Sequence, residues 1–357
     1  MKRFVFAVPG DLETPTGGYT YDRRIIAELA QLGWDVEVAD IGSDFPRPTA
    51  PALTAARARL IAVPSGIPIV VDGLALGVLP ELAAELQRDH TLIALVHHPL
   101  ALESGISPME AEDFRRSERA ALAHTDRVIA TSPSTARRLK QDYGVASEHI
   151  TVALPGSEPK ARATLKSDGP VRLLSVGSLV RRKGYDVLVA ALADLKELPW
   201  RLTIAGDRTR QPATAAALDA GIRIHGLMDR IEVLGAVADE ELDALHAQAD
   251  VFVLASRFEG YGMAFATAIA YGLPVIGTTA GAIPETVPDG AGLLVPPDDA
   301  HALAGALRRL VGDTAERARL AAAAAAAAAK LPTWRQSAEA FAHAIEAAPE
   351  ARSRARQ

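Results

Sequence analysis

A chain of 357 residues is longer than one hydrophobic core ordinarily fills, so two domains are expected. It contains no cysteine, which excludes disulfides, thiolate metal sites and a cysteine nucleophile. A net charge of −6, with 49% apolar and 23% charged residues, is that of an ordinary globular protein and disfavours a general affinity for nucleic acid or anionic lipid. The opening MKRFVFAVPG has too short an apolar run for a secretory leader and reads as a first strand, Phe4–Val8. A loop over 9–18 leads to a helix from about Tyr19 to Leu32, with Ile25, Ile26 and Leu29 at helical spacing and Gly33 closing it. A second strand spans Val36–Ala39, and the proline-rich Phe45–Pro51 reads as an exposed connection. Leu60–Leu79 carries Asp72 as its only charge, but its prolines and glycines read as a loop and a buried strand, Pro68–Asp72, rather than a membrane span.

A helix around Pro80–Arg88 follows, then a strand over Thr91–Val96 that runs into His97-His98-Pro99. A charged helix covers Met109–Ala123, a strand Arg127–Ala130, a helix Thr135–Tyr143 with its N-cap in Ser132-Pro133-Ser134, and a strand Ile150–Ala153. Leu154–Pro170 has three prolines and no sustained period, so it reads as a domain linker. The pattern then restarts with a strand over Val171–Val176, a glycine-flanked loop 177–184, and a helix Tyr185–Leu195. Strands are expected at Arg201–Ala205, Ile231–Leu234 and Val251–Ala255. A helix of small apolar residues, Met263–Tyr271, is stopped by Gly272 and Pro274 before a strand at Val275. After a turn at 288–290 come a strand Gly292–Val295 and a helix capped by Asp298 that ends near Val311. Another helix runs from Thr314 through nine alanines, 321–329, and is read as structural; a last helix covers Trp334–Ala347, before a charged tail read as loose. Strands alternating with helices at this spacing mean parallel sheets covered by helices, an α/β fold of two doubly wound halves that bind ligands at the carboxyl ends of their strands.

Several strand-end loops there suit a phosphate. Glu259-Gly260-Tyr261-Gly262 opens a helix after a buried strand, where glycines allow close approach and a helix N-terminus presents unpaired N–H groups. The bland alternative is a tight turn with one exposed acid. Arg182 and Lys183 would suit a pyrophosphate, against a reading as a solvated basic loop. Gly17-Gly18 occupies the same edge of the first domain, and a diphosphate held between the domains is the economical combination. A dinucleotide fingerprint is missing from the loops at 9–18 and 177–184, and 260–265 lacks the third glycine, which argues against nicotinamide or flavin. His124, His149, His225 and the remaining histidines are expected at the surface.

Taken in order, Gly17-Gly18-Tyr19, Val96-His97-His98-Pro99, Thr131-Ser132-Pro133-Ser134, Pro155-Gly156, Val176 through Gly184, Ala205-Gly206-Asp207 and Ser256 through Glu285 resemble the retaining glycosyltransferases of family 4. The resemblance implies a GT-B fold, two Rossmann-like doubly wound domains with parallel sheets facing across a cleft. The N-terminal domain (1–160) would serve the acceptor, the C-terminal domain (161–333) the nucleotide-sugar donor, and the last helix and tail (334–357) would cross back to the first. It further implies that the Gly17-Gly18 backbone approaches the donor's distal phosphate, and that Arg182 and Lys183 neutralise the pyrophosphate. Gly260, Tyr261, Gly262 and Met263 would add backbone donors, Glu259 would hold the sugar's hydroxyls, and His97, with His98 beside it, would stand near the anomeric carbon.

Neither a metal nor another cofactor is expected: no Asp-x-Asp site is evident, and the donor, a UDP- or GDP-sugar, is a substrate. The acceptor is a small molecule, a lipid-linked sugar or a glycan. The expected location is the cytoplasm, with no transmembrane segment and peripheral membrane contact left open. Two departures stand out. Ser178 occupies a position where the family has Arg, and Thr267 stands where the family's second glutamate, which grips the ribose, should follow Glu259 by eight places. Weaker or altered nucleotide binding follows. The alternatives are a non-catalytic nucleotide-sugar binding protein and a GT-B epimerase or phosphorylase.

Overall fold

The computed structural model describes residues 2–103, 105–158, 160 and 169–349. The chain divides into two compact units. The first comprises residues 1–156 and 332–357, and the second 157–331. The linker expected over Leu154–Pro170 and the loose tail fall largely outside the described residues.

In the first unit the strands are β1 (Lys2–Val8), β2 (Trp34–Asp40), β3 (Ile69–Asp72), β4 (Leu92–Val96), β5 (Arg127–Ala130) and β6 (Ile150–Val152). Its helices before the break are α1 (Gly17–Gln31), α2 (Ala50–Ile61), α3 (Gly73–Leu76), α4 (Pro80–Leu86), α5 (Pro108–Leu122) and α6 (Pro133–Tyr143). The second unit holds β7 (Val171–Val176), β8 (Trp200–Ala205), β9 (Ile231–Gly235), β10 (Val251–Val253), β11 (Val275–Thr278) and β12 (Gly292–Val295). Its helices are α7 (Tyr185–Ala193), α8 (Pro212–Ile224), α9 (Asp239–Gln248), α10 (Met263–Ala270), α11 (Ile283–Thr286), α12 (Ala300–Gly312) and α13 (Thr314–Ala328). The last helix, α14 (Trp334–Glu346), belongs to the first unit.

Each unit is built on a six-stranded parallel sheet, ordered β2-β1-β3-β4-β5-β6 and β12-β11-β10-β7-β8-β9. Helices cover both faces, so the central strands read as unbroken apolar runs instead of alternating: every residue of Leu92–Val96 and of Val251–Val253 is buried. In both sheets the chain first builds outward on one side of its opening strand and then crosses back to add strands on the other side. That reversal falls between β1 and β3 in one unit and between β7 and β10 in the other. It opens a crevice at the carboxyl ends of those strands, because the connecting helices diverge there.

Helix α14 closes the first unit's core. Phe341 lies 6.2 Å from Phe4 and 6.0 Å from Phe6 between ring centroids, and Trp334 meets Tyr21 edge-on at 6.1 Å. Its start is fixed by a capping box of Thr333 and Gln336.

Several local expectations are corrected. The connection expected over Phe45–Pro51 ends earlier than its last proline: Thr49 caps α2, and Pro51 sits in the first turn, where a missing N–H leaves nothing unpaired, while Pro46 and Pro48 stay in the connection. Phe45 is buried, not exposed. Gly17 and Gly18 lie in the first turn of α1, since the Thr16 hydroxyl accepts from Tyr19 N–H and starts the helix two residues early. Asp299, not Asp298, caps α12, and Asp298 adopts a left-handed conformation. Two histidines expected at the surface are interior. His90 is buried, and His246 stacks on Tyr271 at 5.1 Å and on Phe252 at 6.3 Å, with burial lowering its pKa. No helix among the described residues is long and apolar enough to cross a membrane.

Candidate functional site

In the second unit, the crevice between β7 and β10 is filled by charge. The short turn Arg181–Lys183 after β7 brings both of its last two cations onto Glu259, which follows β10. Arg182 Nη1 donates to Glu259 Oε2 at 3.0 Å and to the carbonyl of Phe258 at 2.8 Å. Lys183 Nζ donates to Glu259 Oε1 at 2.7 Å, and the Ser256 hydroxyl donates to the same oxygen at 2.6 Å. Burial alone would raise the Glu259 pKa, but Lys183 and Arg182 outweigh it and hold the carboxyl at about 2. Lys183 is shifted the other way for its cation, downward: burial and the neighbouring guanidinium outweigh the single carboxylate it shares with Arg182. Two cations on one acid leave the cluster with surplus positive charge.

Two close backbone approaches form this crevice. A Cβ at Gly206 would lie 1.9 Å from the carbonyl oxygen of Gly177, and one at Gly184, which has φ +67°, would lie 2.0 Å from that of Ala255. Arg257 ties the loops together. Its backbone N–H donates to Arg182 O at 2.7 Å, and its guanidinium bridges Asp186 at 2.7 Å and Asp298 at 2.6 Å. Gly262, in a left-handed conformation, precedes α10, whose first residue is Met263. Tyr261 uses its carbonyl to accept from the Thr286 hydroxyl. Thr267 lies half-buried on α10, and Gly260 stands between Glu259 and Tyr261 at the crevice.

In the first unit the corresponding crevice, between β1 and β3, gathers Asp22 of α1, Asp72 at the end of β3, and His97 just after β4. His97 Nε2 lies 3.3 Å from Asp22 Oδ1 and 3.5 Å from Asp72 Oδ2. One ligand atom from each of the three lies within 4.8 Å of the others, so they are placed to hold a metal ion. Asp22 is fully buried, and burial raises its pKa. His97 keeps 21% of its side chain exposed; burial would lower its pKa, but the two carboxylates outweigh that and raise it. Gly18 packs against the His97 ring, with its hypothetical Cβ 3.5 Å from Cδ2. The His97 carbonyl accepts from the Thr131 hydroxyl at 3.1 Å. His98 turns away to Glu103 at 2.7 Å. The loop beyond is braced by Glu118 of α5, which accepts from Leu100 N–H at 3.0 Å.

Two family models match in succession: Glycosyltransferase Family 4 over residues 16–160 and Glycosyl transferases group 1 over 157–327. The chain belongs to glycosyltransferase family 4. It is 33% identical over 176 residues to a mannosylfructose-phosphate synthase of Agrobacterium fabrum, covering 44% of this chain and 38% of that one. It is 28% identical to an MMP alpha-(1->4)-mannosyltransferase of Mycolicibacterium hassiacum, covering 77% and 69%. Across the first three curated relatives, the chain spans 38 to 56% of their length. A sucrose-phosphate synthase structure from Thermosynechococcus elongatus superposes with a TM-score of 0.83 at 23% identity, over 97% of this chain and 98% of that one. The Anabaena protein HepE, solved with UDP-glucose, gives 0.77 at 20% identity over 97% and 100%. These likenesses establish the GT-B fold.

Within this family 4 chain, the structure brings Arg182, Lys183 and Glu259 together at one crevice and Gly18 and His97 at the other, each inside its own unit. Asp22, Asp72, Ser256, Arg257 and Glu118 were given no site role from the sequence, although Asp72 closes an expected strand and Ser256 and Arg257 lie in the stretch from Ser256 through Glu285. Two had a visible signal. Asp22 shares its helix face with Ile25 and Leu29, and Glu118 shares its face with Phe114 and Leu122. An acid in an apolar stripe is a buried acid with a task.

Proposed function

We propose that the chain is a retaining glycosyltransferase that moves a hexose from a nucleotide-diphosphate sugar to an acceptor hydroxyl. The observation that carries this reading is the convergence of Arg182 and Lys183 with Glu259 at the point where the second unit's sheet reverses. Side-chain cations there match a leaving diphosphate, and preorganised charge of that kind stabilises a transition state by a few kcal/mol per group, about 3 for a single donor. The reading therefore needs no metal at the diphosphate.

The second unit binds the donor and the first the acceptor. Gly17 and Gly18 offer backbone N–H groups to the distal phosphate, as do Gly260, Tyr261, Gly262 and Met263 at the start of α10. Glu259 holds sugar hydroxyls, and the diphosphate takes over its cations when the donor arrives. His97 contacts the transferred sugar, and His98 fixes the same loop through Glu103. The bond from the anomeric carbon to the phosphate oxygen breaks as the bond to the acceptor oxygen forms on the same face. The acceptor's proton passes to the departing phosphate, so configuration is retained.

The relatives support a UDP- or GDP-hexose donor: one is a mannosyltransferase by name, and HepE was solved with UDP-glucose. A phosphorylated small molecule is the acceptor class favoured by the names of the synthases, ahead of lipid-linked or glycan acceptors. We assign the protein to the cytoplasm, where such donors are made. A second reading, a binding protein without turnover, is favoured by Thr267, whose single short hydroxyl cannot grip both ribose hydroxyls.

A thermal-shift screen of UDP-, GDP- and ADP-sugars, followed by product analysis with sugar-phosphate acceptors, tests the proposal. Turnover with retention in one pairing is the expected result. Selective binding without product from any acceptor supports the second reading, and absence of both binding and product overturns the first. Thr267→Glu should strengthen nucleotide binding, and unchanged affinity removes the account of that position.

A further inference from the structure

The Asp22–Asp72–His97 cluster asks for an occupant of its own. Both oxygens of Asp22 and Nε2 of His97 are buried and accept or donate no hydrogen bond among the described residues. Native interiors rarely leave such groups unpaired, and here three of these atoms meet at one point. Asp22 is 0% exposed and Asp72 is 4% exposed, so water does not relieve them.

Distance separates two explanations. A proton shared between imidazolium and carboxylate makes an aligned contact of about 2.7–2.9 Å. The observed separations of 3.3 and 3.5 Å are longer, and Nε2 is not aligned for a hydrogen bond. Two ligands bound to one ion at ~2.1 Å in tetrahedral array stand ~3.4 Å apart. The cluster has the spacing of a ligand set.

Charge points the same way. Two carboxylates and a neutral imidazole carry two negative charges into a buried site, and a proton on the ring cancels only one. The nearby cation, Arg23, spends its guanidinium on the carbonyl of Leu12 and on the Thr20 hydroxyl. Asp72 cannot swing away, because its other oxygen accepts from Leu74 N–H at 2.7 Å to start α3.

The geometry points to a divalent cation of the zinc and manganese class held by Asp22, Asp72 and His97, in the first unit's crevice beneath Gly18. One imidazole nitrogen and two carboxylate oxygens suit those ions better than calcium or magnesium, which prefer an all-oxygen shell. A remaining coordination position is left for water or a substrate hydroxyl. The ion would lock α1, β3 and the His97 loop into one arrangement. The inference stands apart from the sugar-transfer reading, since binding is measured without turnover.

The full-length protein, stripped with EDTA, would be titrated with Zn²⁺ and with Mn²⁺ by calorimetry, with Mn²⁺ also followed by electron paramagnetic resonance. One equivalent should bind and raise the Tm, and Asp22→Asn and Asp72→Asn should each weaken binding by about tenfold or more. A wild-type chain that binds neither ion, or binding unchanged in Asp22→Asn, overturns the site. Should both variants fail to fold, wild-type crystals soaked in Mn²⁺ decide: an anomalous peak among the three side chains supports the site, and its absence rejects it.

Discussion

The two crevices share their topology and differ in their chemistry. Each lies where a parallel sheet reverses its winding, and each gathers acids and cations from loops far apart in the chain. In the second unit, Glu259 meets Arg182, Lys183 and Ser256, and every one of its oxygens is satisfied. In the first, Asp22 has two oxygens with no donor. The fold supplies the place, and the loop residues decide whether that place is complete by itself or waits for something from outside.

Lys183→Met should produce the largest effect, because it removes one of two cations from a buried carboxylate. A loss of roughly 3 kcal/mol in urea-unfolding stability is expected, and donor-induced thermal stabilisation should fall with it. A loss well under that would mean Arg182 alone satisfies Glu259, and the contrast between the crevices would weaken.

The next effect is in pH. Glu259 sits at about 2 in the folded protein against an ordinary 4.5. Its folded pKa is depressed, so its stabilising contribution is fully present above pH 4.5 and is lost as pH falls through about 2. The difference in stability between the wild type and Glu259→Gln should therefore shrink by on the order of 3 kcal/mol across that window. Glu118 in the first unit has the opposite sign. Burial raises its pKa to about 8, against the amide of Leu100 and the hydroxyl of Tyr143. Its contribution is present below pH 4.5 and is lost as pH rises through about 8. Glu118→Gln should thus gain on the wild type as pH rises from 4.5 to about 8 and hold that gain above it in denaturant titrations, and a parallel pH dependence of the two proteins across that window would contradict the assignment.

The smallest effect is expected from Asp22→Asn in metal-free protein. It removes a buried charge that no donor satisfies, so unfolding stability should stay within about 1 kcal/mol of the wild type. A loss as large as that of Lys183→Met would show that Asp22 is paired as firmly as Glu259.

Much of the architecture was readable because parallel strands covered on both faces are continuous apolar runs; Arg127–Ala130 was found to the residue. What failed did so for local reasons. Pro51 looks like the end of a connection until Thr49 is seen to cap a helix that includes it. Helices α8 and α9 went unread, and their faces are weakly apolar: among the residues of α9 only His246 is buried. For the sites, linear motifs carried the loops of the second unit, where Arg182 and Lys183 adjoin and Glu259 opens a glycine turn. The first unit's cluster draws on residues 22, 72 and 97, one from helix α1 and two from separate strand-ends, and only the reversal between β1 and β3 assembles them.

The return of α14 bears on how the molecule is made. The second unit is one uninterrupted stretch, 157–331, and is complete while the ribosome is still adding residues. The first unit emerges earlier and yet finishes later, because Phe4, Phe6 and Tyr21 wait for Phe341 and Trp334 to cover them. The backbone of Gly156, where the chain leaves that unit, runs so close to Trp334, where it comes back, that a Cβ would lie 2.4 Å from the Trp334 Cα. A nascent chain stalled before residue 332 would present a finished C-terminal body attached to an N-terminal one with its aromatic seam still open to chaperones.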